Sequence, residues 1–291
     1  MRREAVLLPM MTLLVLAQDE IPRQLWNEEF LQKRPAAGAA KGNNGKANYR
    51  PVPDSTKPSA APSGHGVMIG VTLWRLRPER PQDTPGARLL VLPEAPGAEA
   101  SSEVPERIDA DTPLAPGDRV RLSVEVPYKG YLYVIDREKY ADGSVGDPYL
   151  ICPNRLTRPG DNMVAPGRVV EVPDRRDKPN HFIVKPTRKD QTAEVISFLV
   201  TPELLPNLKI GVAATRLDKA QFAEWEKQWG VQSQALELQG GGSGVWTNQE
   251  KDAGEHAIAL TQDDPLPQTL YRVPAESGRS ILLEVPLHIK Q

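Results

Sequence analysis

The stretch that decides the fold class is Arg119-Val120-Arg121-Leu122-Ser123-Val124-Glu125-Val126. Polar and apolar residues alternate in it without a break, which is the period of a β-strand with one face in a core. The valines and the leucine share one face, and the charged and hydroxyl side chains share the other. The alternation therefore predicts a half-buried strand over residues 119–126.

Segments on both sides of this stretch also have strand character. Residues 67–73 alternate in the same way, whereas residues 131–135 are apolar on both faces and are predicted to form a central strand. Pro286 places the last strand at a sheet edge, because proline cannot donate to a ladder. Further short strands are predicted at residues 89–92, 169–172, 181–184, 195–201, 257–260, 270–273 and 281–289. Five Pro-Gly pairs supply turns, and several short strands with turns between them favour a sandwich or a barrel.

One helix is predicted near residues 218–229. Asp218 can cap its first turn, and Gly230 can end it. A one-sided aromatic stripe is predicted to pack on a sheet, and it consists of Phe222, Trp225 and Trp229. The glycine-rich residues 239–244 are predicted to form a flexible connection. The predicted fold class is all-β, an immunoglobulin-like β-sandwich with one short α-helix.

The composition limits the class of partner. The chain has 291 residues and a formal net charge of -2, so nucleic acid and anionic membrane surfaces are not expected partners. Its 29 prolines are about twice the usual ~5% share, which disfavours long helices.

The N-terminus has the pattern of an export signal. Arg2 and Arg3 precede an apolar run over residues 5–16, and Ala17 ends a cleavable pattern. The apolar run is shorter than the ~20 residues that span a bilayer. Residues 1–17 are therefore predicted to be a signal peptide, with a mature chain that begins at Gln18 without a transmembrane segment. A periplasmic or extracellular location is expected.

The mature chain is predicted to have three parts. Residues 18–34 form a short amphipathic segment, residues 35–66 form a disordered linker rich in small and polar residues, and residues 67–291 form a single mainly-β domain. Within residues 21–33, four apolar side chains cluster on one side: Leu25, Trp26, Phe30 and Leu31. They either dock on their own domain or engage a partner groove as a helix. The hypothesis is that this segment is a partner-binding handle.

A set of strand and turn motifs resembles a known family. Pro116-Gly117-Asp118 opens the strand at 119, Gly130-Tyr131-Leu132-Tyr133 opens the next, and Asp142-Gly143 and Leu150-Ile151-Cys152-Pro153-Asn154 follow in order. This order is similar to the bacterial family called domain of unknown function 4384, over roughly residues 110–201. The helix and the C-terminal strands of residues 257–289 would extend this core. The resemblance implies an envelope or modular accessory domain and brings no catalytic residues with it.

Few residues of this chain have the pattern of a catalytic or metal site. Cys152 is the single cysteine and lies at a strand end, so burial is favoured over nucleophilic catalysis with a remote histidine. The segment 241–245 lacks the final glycine of a nucleophile elbow. The four histidines are far apart in sequence and form no zinc motif; they are His65, His181, His256 and His288. No catalytic, cofactor-binding or metal-binding residue is assigned.

Two weaker binding patterns remain. Three loop carboxylates could attract a hard cation, although a solvated turn is favoured because their spacing does not match an EF-hand; they are Asp136, Asp142 and Asp147. Five tyrosines could form a glycan- or peptide-binding face, although core packing is favoured for Tyr131 and Tyr133; the set is Tyr128, Tyr131, Tyr133, Tyr140 and Tyr149.

The sequence therefore predicts an exported, non-catalytic interaction module of the cell envelope that works without a cofactor. Its expected partner is another envelope protein. Two alternatives stay open: a glycan- or peptide-binding domain with exposed aromatics, and a hydrolase whose active site is assembled from distant residues.

Overall fold

A computed structural model describes residues 23–36, 47–52, 66–80, 83, 103–155 and 161–290. Helices in these ranges are α1 (Arg23–Glu29), a 3-10 turn (Leu31–Lys33), α2 (Lys219–Trp229) and α3 (Asn248–His256). Strands β1 to β8 are Tyr49–Pro51, Val67–Pro78, Glu103–Ile108, Arg119–Glu125, Gly130–Tyr140, Tyr149–Cys152, Met163–Val164 and Val169–Val172. Strands β9 to β15 are Phe182–Ile183, Gln191–Thr201, Thr215–Arg216, Gly230–Val231, Gln234–Leu238, Thr269–Val273 and Ile281–His288.

The strands form two sheets that pack face to face. The first sheet has the order β1-β13-β14-β2-β4-β8, with β3 paired to β2 and β9 paired to β4. The second has the order β11-β6-β5-β10-β15-β12, with β7 paired to β5. Neighbouring strands are antiparallel except β12 and β15, which run parallel. The predicted all-β sandwich is confirmed.

The main core lies between the sheets and follows the alternation of the strands. Val120, Leu122 and Val124 of β4 face Leu132 and Val134 of β5 across it, and all five are buried. β5 lies between β10 and β6 and is apolar on both faces, so the prediction of a central strand at residues 131–135 is confirmed. β15 has only the two-residue β12 on its outer side, which pairs with Leu282 and Leu283 and leaves Pro286 at the edge.

Helix α2 covers the outer face of the second sheet. The side chain of Asp218 accepts a hydrogen bond from the backbone N–H of Gln221, as its capping position predicts. Phe222 and Trp225 are buried against the sheet, and Trp229 stacks on Trp225 at 6.1 Å. The predicted packing of this aromatic stripe is confirmed. None of the helices in the described ranges is long and apolar enough to cross a bilayer.

The N-terminal segment docks on the body of the protein. Trp26, Phe30 and Leu31 are buried against the outer face of the first sheet, where they join a cluster completed by Tyr49, Met68, Leu236, Leu266 and Leu270. Three of the four apolar side chains of the proposed handle are therefore inside the fold, and the handle hypothesis is wrong. Burial of these three side chains stabilises the docked segment by roughly 1.5–3 kcal/mol for each large side chain. This gain offsets the conformational entropy that is lost when a short segment is ordered.

Three local predictions are also corrected. Residues 49–51 of the predicted linker form β1, which pairs with β13, because Tyr49 is buried and its hydroxyl donates to the carbonyl of Pro267. Residues 239–244 are held rather than flexible, since Arg107 of β3 bonds to Ser243 and Gly244 through the backbone. Residues 257–260 follow α3 as an irregular segment in place of a strand.

Three further predictions lie outside the described residues. They are the signal peptide at 1–17, the strand at 89–92, and most of the linker at 35–66, of which residues 37–46 and 53–65 are not described.

Candidate functional site

Part of the outer face of the first sheet is polar, yet it is covered. The cover consists of residues 23–36 and 246–267, which are called the cap below; the two parts bond to each other where Gln262 N–H donates to the carbonyl of Pro35. Beneath the cap, Arg121, Glu125 and Glu171 of β4 and β8 are each only 2–4% exposed. The alternation of residues 119–126 predicts the two faces correctly, but from Arg121 onward both faces lie largely inside the protein, whereas Arg119 is exposed. The prediction of a half-buried strand is therefore wrong for residues 121–126, because the cap covers the polar face. Buried charges require partners, and the cap supplies several of them.

Arg34 ties the N-terminal part of the cap to β4. Its Nε and Nη2 donate to the two carboxylate oxygens of Glu125 at 2.8 and 2.7 Å. The remaining donors reach the backbone carbonyls of Thr261, Asp264 and Pro265 at 3.0–3.1 Å. The guanidinium thus joins three segments that are far apart in sequence. A bidentate pair of this kind is among the stronger charge-assisted contacts in proteins.

Helix α3 supplies the second ion pair. Thr247 and Glu250 form a capping box, in which each side chain bonds to the other residue's backbone N–H. Glu250 also binds Arg107 of β3, whose Nη1 donates to the carbonyl of Leu266 at 2.7 Å. One carboxylate therefore begins the helix and fastens it to the sheet.

A third charged group is formed by residues of β4, of β8 and of the loop that follows β8. Glu171 accepts from Arg121 Nη2 at 2.8 Å and from Arg175 at 3.0 and 3.1 Å. Burial raises the pKa of Glu171, and the two arginines oppose that rise. Burial also lowers the pKa of Arg121. The close packing of α3 depends on Gly254, because a Cβ at that position would collide with the Glu171 carboxylate.

Two tryptophans stack between these ion pairs. Trp74 of β2 and Trp246 of the cap lie 5.5 Å apart with an interplanar angle of 26°, and Trp74 Nε1 donates to Ser123 Oγ at 2.7 Å. Arg107 lies over Trp74 at 5.2 Å, and Arg175 lies over Trp246 at 3.8 Å. The two indole rings are therefore stacked between two arginines. These cation–π contacts stabilise the cap in addition to the ion pairs.

A small cleft opens between the cap and the sheet beside these groups. Its volume is ≈ 20 Å³, which is room for about one water molecule. Its walls include charged, hydroxyl, aromatic and apolar side chains, among them Arg34, Thr72, Trp74, Ser123, Glu125 and Glu250. The groups around the cleft are joined to one another by ion pairs and hydrogen bonds, so this arrangement holds the cap to the sheet.

Cys152, for which the sequence predicts burial, lies inside the main core. It ends β6, is 5% exposed and packs in the cluster between the sheets. This confirms the predicted burial.

We expect Cys152→Ala to keep the fold and to lower the free energy of unfolding by about 1 kcal/mol, because the change removes a small packed side chain. The wild-type thiol should react slowly with a maleimide in the native state and rapidly in urea. Leu204→Cys in the Cys152→Ala background places a thiol at a 55% exposed position and is the matched control. Equal native labelling rates for the two thiols would disprove the burial of Cys152.

The predicted tyrosines are mainly structural. Tyr128 and Tyr133 are buried, and the hydroxyl of Tyr133 accepts from the backbone N–H of Leu205 at 2.9 Å. Tyr131 packs beside Tyr133 beneath α2, as its position on the same strand face predicts. Tyr140 lies under Arg188, and Tyr149 is 37% exposed. Core packing is confirmed for Tyr131 and Tyr133.

The three loop aspartates do not converge. Asp142 accepts from the backbone and the hydroxyl of Ser144, Asp147 pairs with Arg216 and Lys219, and Asp136 faces the core. No group of three or more acidic, histidine or cysteine side chains in the described ranges is placed to hold a metal ion. His181 contacts Asn180, His256 and His288 are exposed, and His65 lies outside the described residues.

Sequence reasoning missed the charged layer beneath the cap. Arg34 and Glu125 are 91 residues apart, and Arg107 and Glu250 are 143 apart, so no local pattern links them. One signal was available: Thr247-Asn248-Gln249-Glu250 has the spacing of a capping box. It would have predicted α3 and one of the residues that fasten it.

Comparison with known proteins identifies one segment. Residues 113–197 match the sequence model of a family described as a domain of unknown function (DUF4384), which confirms the resemblance drawn from the motifs. The matched residues run from just before β4 into β10 and contribute strands to both sheets. Glu125 and Glu171 lie inside the match, whereas their cap lies outside it. No curated protein and no solved structure matches the chain.

Proposed function

We propose that the protein is an exported, non-catalytic interaction module of the bacterial cell envelope. The observation that carries this proposal is the use made of the reactive side chains beneath the cap. Glu125, Glu171 and Glu250 are each bound to arginine, and Ser123 accepts from Trp74. These groups stabilise the fold, which suits a rigid body that presents its surface to a partner.

A hydrolase and a glycan- or peptide-binding domain have less support from the geometry. A hydrolase needs a nucleophile within reach of a base, and the described cysteine is packed in the core. A glycan- or peptide-binding face needs exposed aromatics, whereas Tyr128 and Tyr133 are buried. The export part of the proposal rests on the charged, apolar and small residues of 1–17 and on the family resemblance.

A surface scan tests the interaction proposal. A photo-reactive amino acid would be placed in turn at exposed apolar positions in different parts of the chain, namely Val145, Ile183, Leu204, Val212 and Ile258, which are 43–61% exposed. Irradiation of living cells should give one discrete adduct from some of these positions and none from the others. Lys209, which is exposed beside Leu208, serves as a polar control. Absence of an adduct at every position would argue against a stable envelope partner.

Export is tested separately on the same chain. N-terminal sequencing of the protein from the envelope or medium fraction should begin at Gln18, because Ala17 ends the cleavable pattern. A protein that still begins at Met1, or that stays in the cytoplasmic fraction, would contradict export without bearing on the interaction scan.

A further inference from the structure

Three carboxylates lie together at one end of the second sheet, on the side that faces the core. Asp136 and Glu138 of β5 continue the face of Leu132 and Val134, which lie in the main core. Glu194 of β10 is directly opposite Glu138 in the strand register. At this end of the sheet, the side chains that face the core are therefore acidic in place of apolar.

No basic residue lies opposite Asp136, Glu138 or Glu194 in the strand register. Arg137 lies on the opposite face of β5, over the ring of Phe222 at 4.5 Å, where it pairs with Glu226 and Glu284. The adjoining strands place Tyr149 opposite Asp136 and Leu287 opposite Glu194. No ion pair joins Asp136, Glu138 or Glu194 to a basic side chain within the described ranges.

The hydrogen bonds of the group leave two oxygens without donors. Gln191 Nε2 donates to Glu194 Oε1 at 2.7 Å, and Gln191 Oε1 accepts from the backbone N–H of Thr187. Asp136 Oδ1 and Glu194 Oε2 are shielded from solvent, and no donor in the described part of the chain reaches them. The carboxyl groups of Asp136 and Glu194 lie within hydrogen-bonding reach of each other. Two ionised carboxylates at that range repel each other, whereas a proton held between them supplies the missing donor.

We propose that Asp136 and Glu194 share one proton, and that this pair makes the end of the sandwich a pH-sensitive element. In mildly acidic medium the proton holds β5 and β10 together; in alkaline medium its loss drives them apart. The element is joined to the adjoining hairpin by backbone hydrogen bonds, in which Gly146 N–H donates to the carbonyl of Glu138 and Ala141 N–H donates to the carbonyl of Asp190.

The electrostatics of the group agree with this arrangement. Burial, followed by the charges of Glu194 and Glu138, raises the pKa of Asp136 to about 8. Burial also raises the pKa of Glu194. In the unfolded chain an aspartate titrates near ~3.9, so above that pH the folded protein binds more protons than the unfolded one. The contribution of the pair to stability is therefore complete below about pH 4 and is lost as the pH rises toward 8.

The unmodified protein provides the first test. The side-chain carboxyl carbons of ¹³C-labelled protein would be followed by NMR from pH 4 to pH 9. One aspartate carboxyl carbon should titrate with a midpoint above pH 6, and Asp136→Asn should remove that signal if the variant folds. Midpoints below pH 5 for every aspartate would overturn the proposal, whatever the variant does.

The second test measures stability and local opening. Between about pH 5 and pH 8 the unfolding equilibrium constant of the unmodified protein should rise by up to about tenfold per pH unit, and Asp136→Asn should flatten this rise. Asp142→Asn is the matched control, because Asp142 is an exposed residue of the same hairpin. At pH 8.5 the amides of residues 138–146 should exchange faster in the unmodified protein than in Asp136→Asn.

Glu237 of the first sheet also contributes to the pH dependence of stability, and its contribution must be separated from that of Asp136 and Glu194. Burial first, and then the charge of Asp109, raises its pKa to about 7, so it contributes a slope of the same sign. The comparison is therefore repeated in a Glu237→Gln background. An unchanged slope on Asp136→Asn in that background would refute the shared proton.

Discussion

Arg34→Ala is expected to lower the free energy of unfolding by about 3–5 kcal/mol, the usual cost of removing one partner of a buried ion pair. The side chain of Arg34 is 1% exposed and that of Glu125 is 5% exposed, so the variant leaves a carboxylate in the interior without its cation. It also leaves the carbonyls of Thr261, Asp264 and Pro265 without their donor. Urea unfolding followed by tryptophan fluorescence would measure the change.

The double variant Arg34→Met with Glu125→Met separates the charge from the packing. Because it removes both charges and keeps apolar volume, it should recover much of the stability lost in Arg34→Ala. A loss below about 1 kcal/mol in the single variant would mean that Glu125 is reached by water, and that the cap is not fastened at this point.

Deletion of residues 18–52 is expected to have a still larger effect. It removes Trp26, Phe30, Leu31 and Tyr49 from one cluster, and truncation of a single large buried side chain already costs about 2–5 kcal/mol. The loss should exceed about 5 kcal/mol, which is comparable to the whole stability of many domains. The shortened protein should therefore lose its cooperative thermal transition or unfold at much lower temperature.

A point variant keeps this prediction testable if the shortened chain does not fold. Trp26→Ala should cost about 3–5 kcal/mol, whereas Glu28→Ala, at an exposed position of the same helix, should change stability by less than about 0.5 kcal/mol. Equal melting temperatures for the two variants would restore the hypothesis that this segment is a detached handle.

Local patterns predicted the parts of the fold that depend on local physics. The alternation at 119–126 placed β4 and its interior face, and the capping residue Asp218 placed the start of α2 within one residue. Both succeed because the period of a strand and the unsatisfied N–H groups of a helix are properties of a few adjacent residues.

Apart from the capping box of Thr247 and Glu250, the cap could not be predicted in this way. Its helix α3 buries only Glu250 and Ala253, so it has no apolar stripe from which a period could be recognised. The arginines and glutamates beneath it have the sequence pattern of a solvated strand face. Their burial depends on partners 91 and 143 residues away, and pairing over such distances leaves no mark on local composition.

The pairing of β1 and β2 with strands from much later in the chain has a consequence for the order of folding. Tyr49 of β1 pairs with Leu238 of β13, and Val71 of β2 pairs with Thr269 of β14. A chain that emerges from its N-terminus therefore cannot complete the first sheet until β13 and β14 have been made. Contacts of such long range slow folding. Until then β2 exposes an unpaired edge that can aggregate, and a chaperone that covers this strand should raise the yield of native protein.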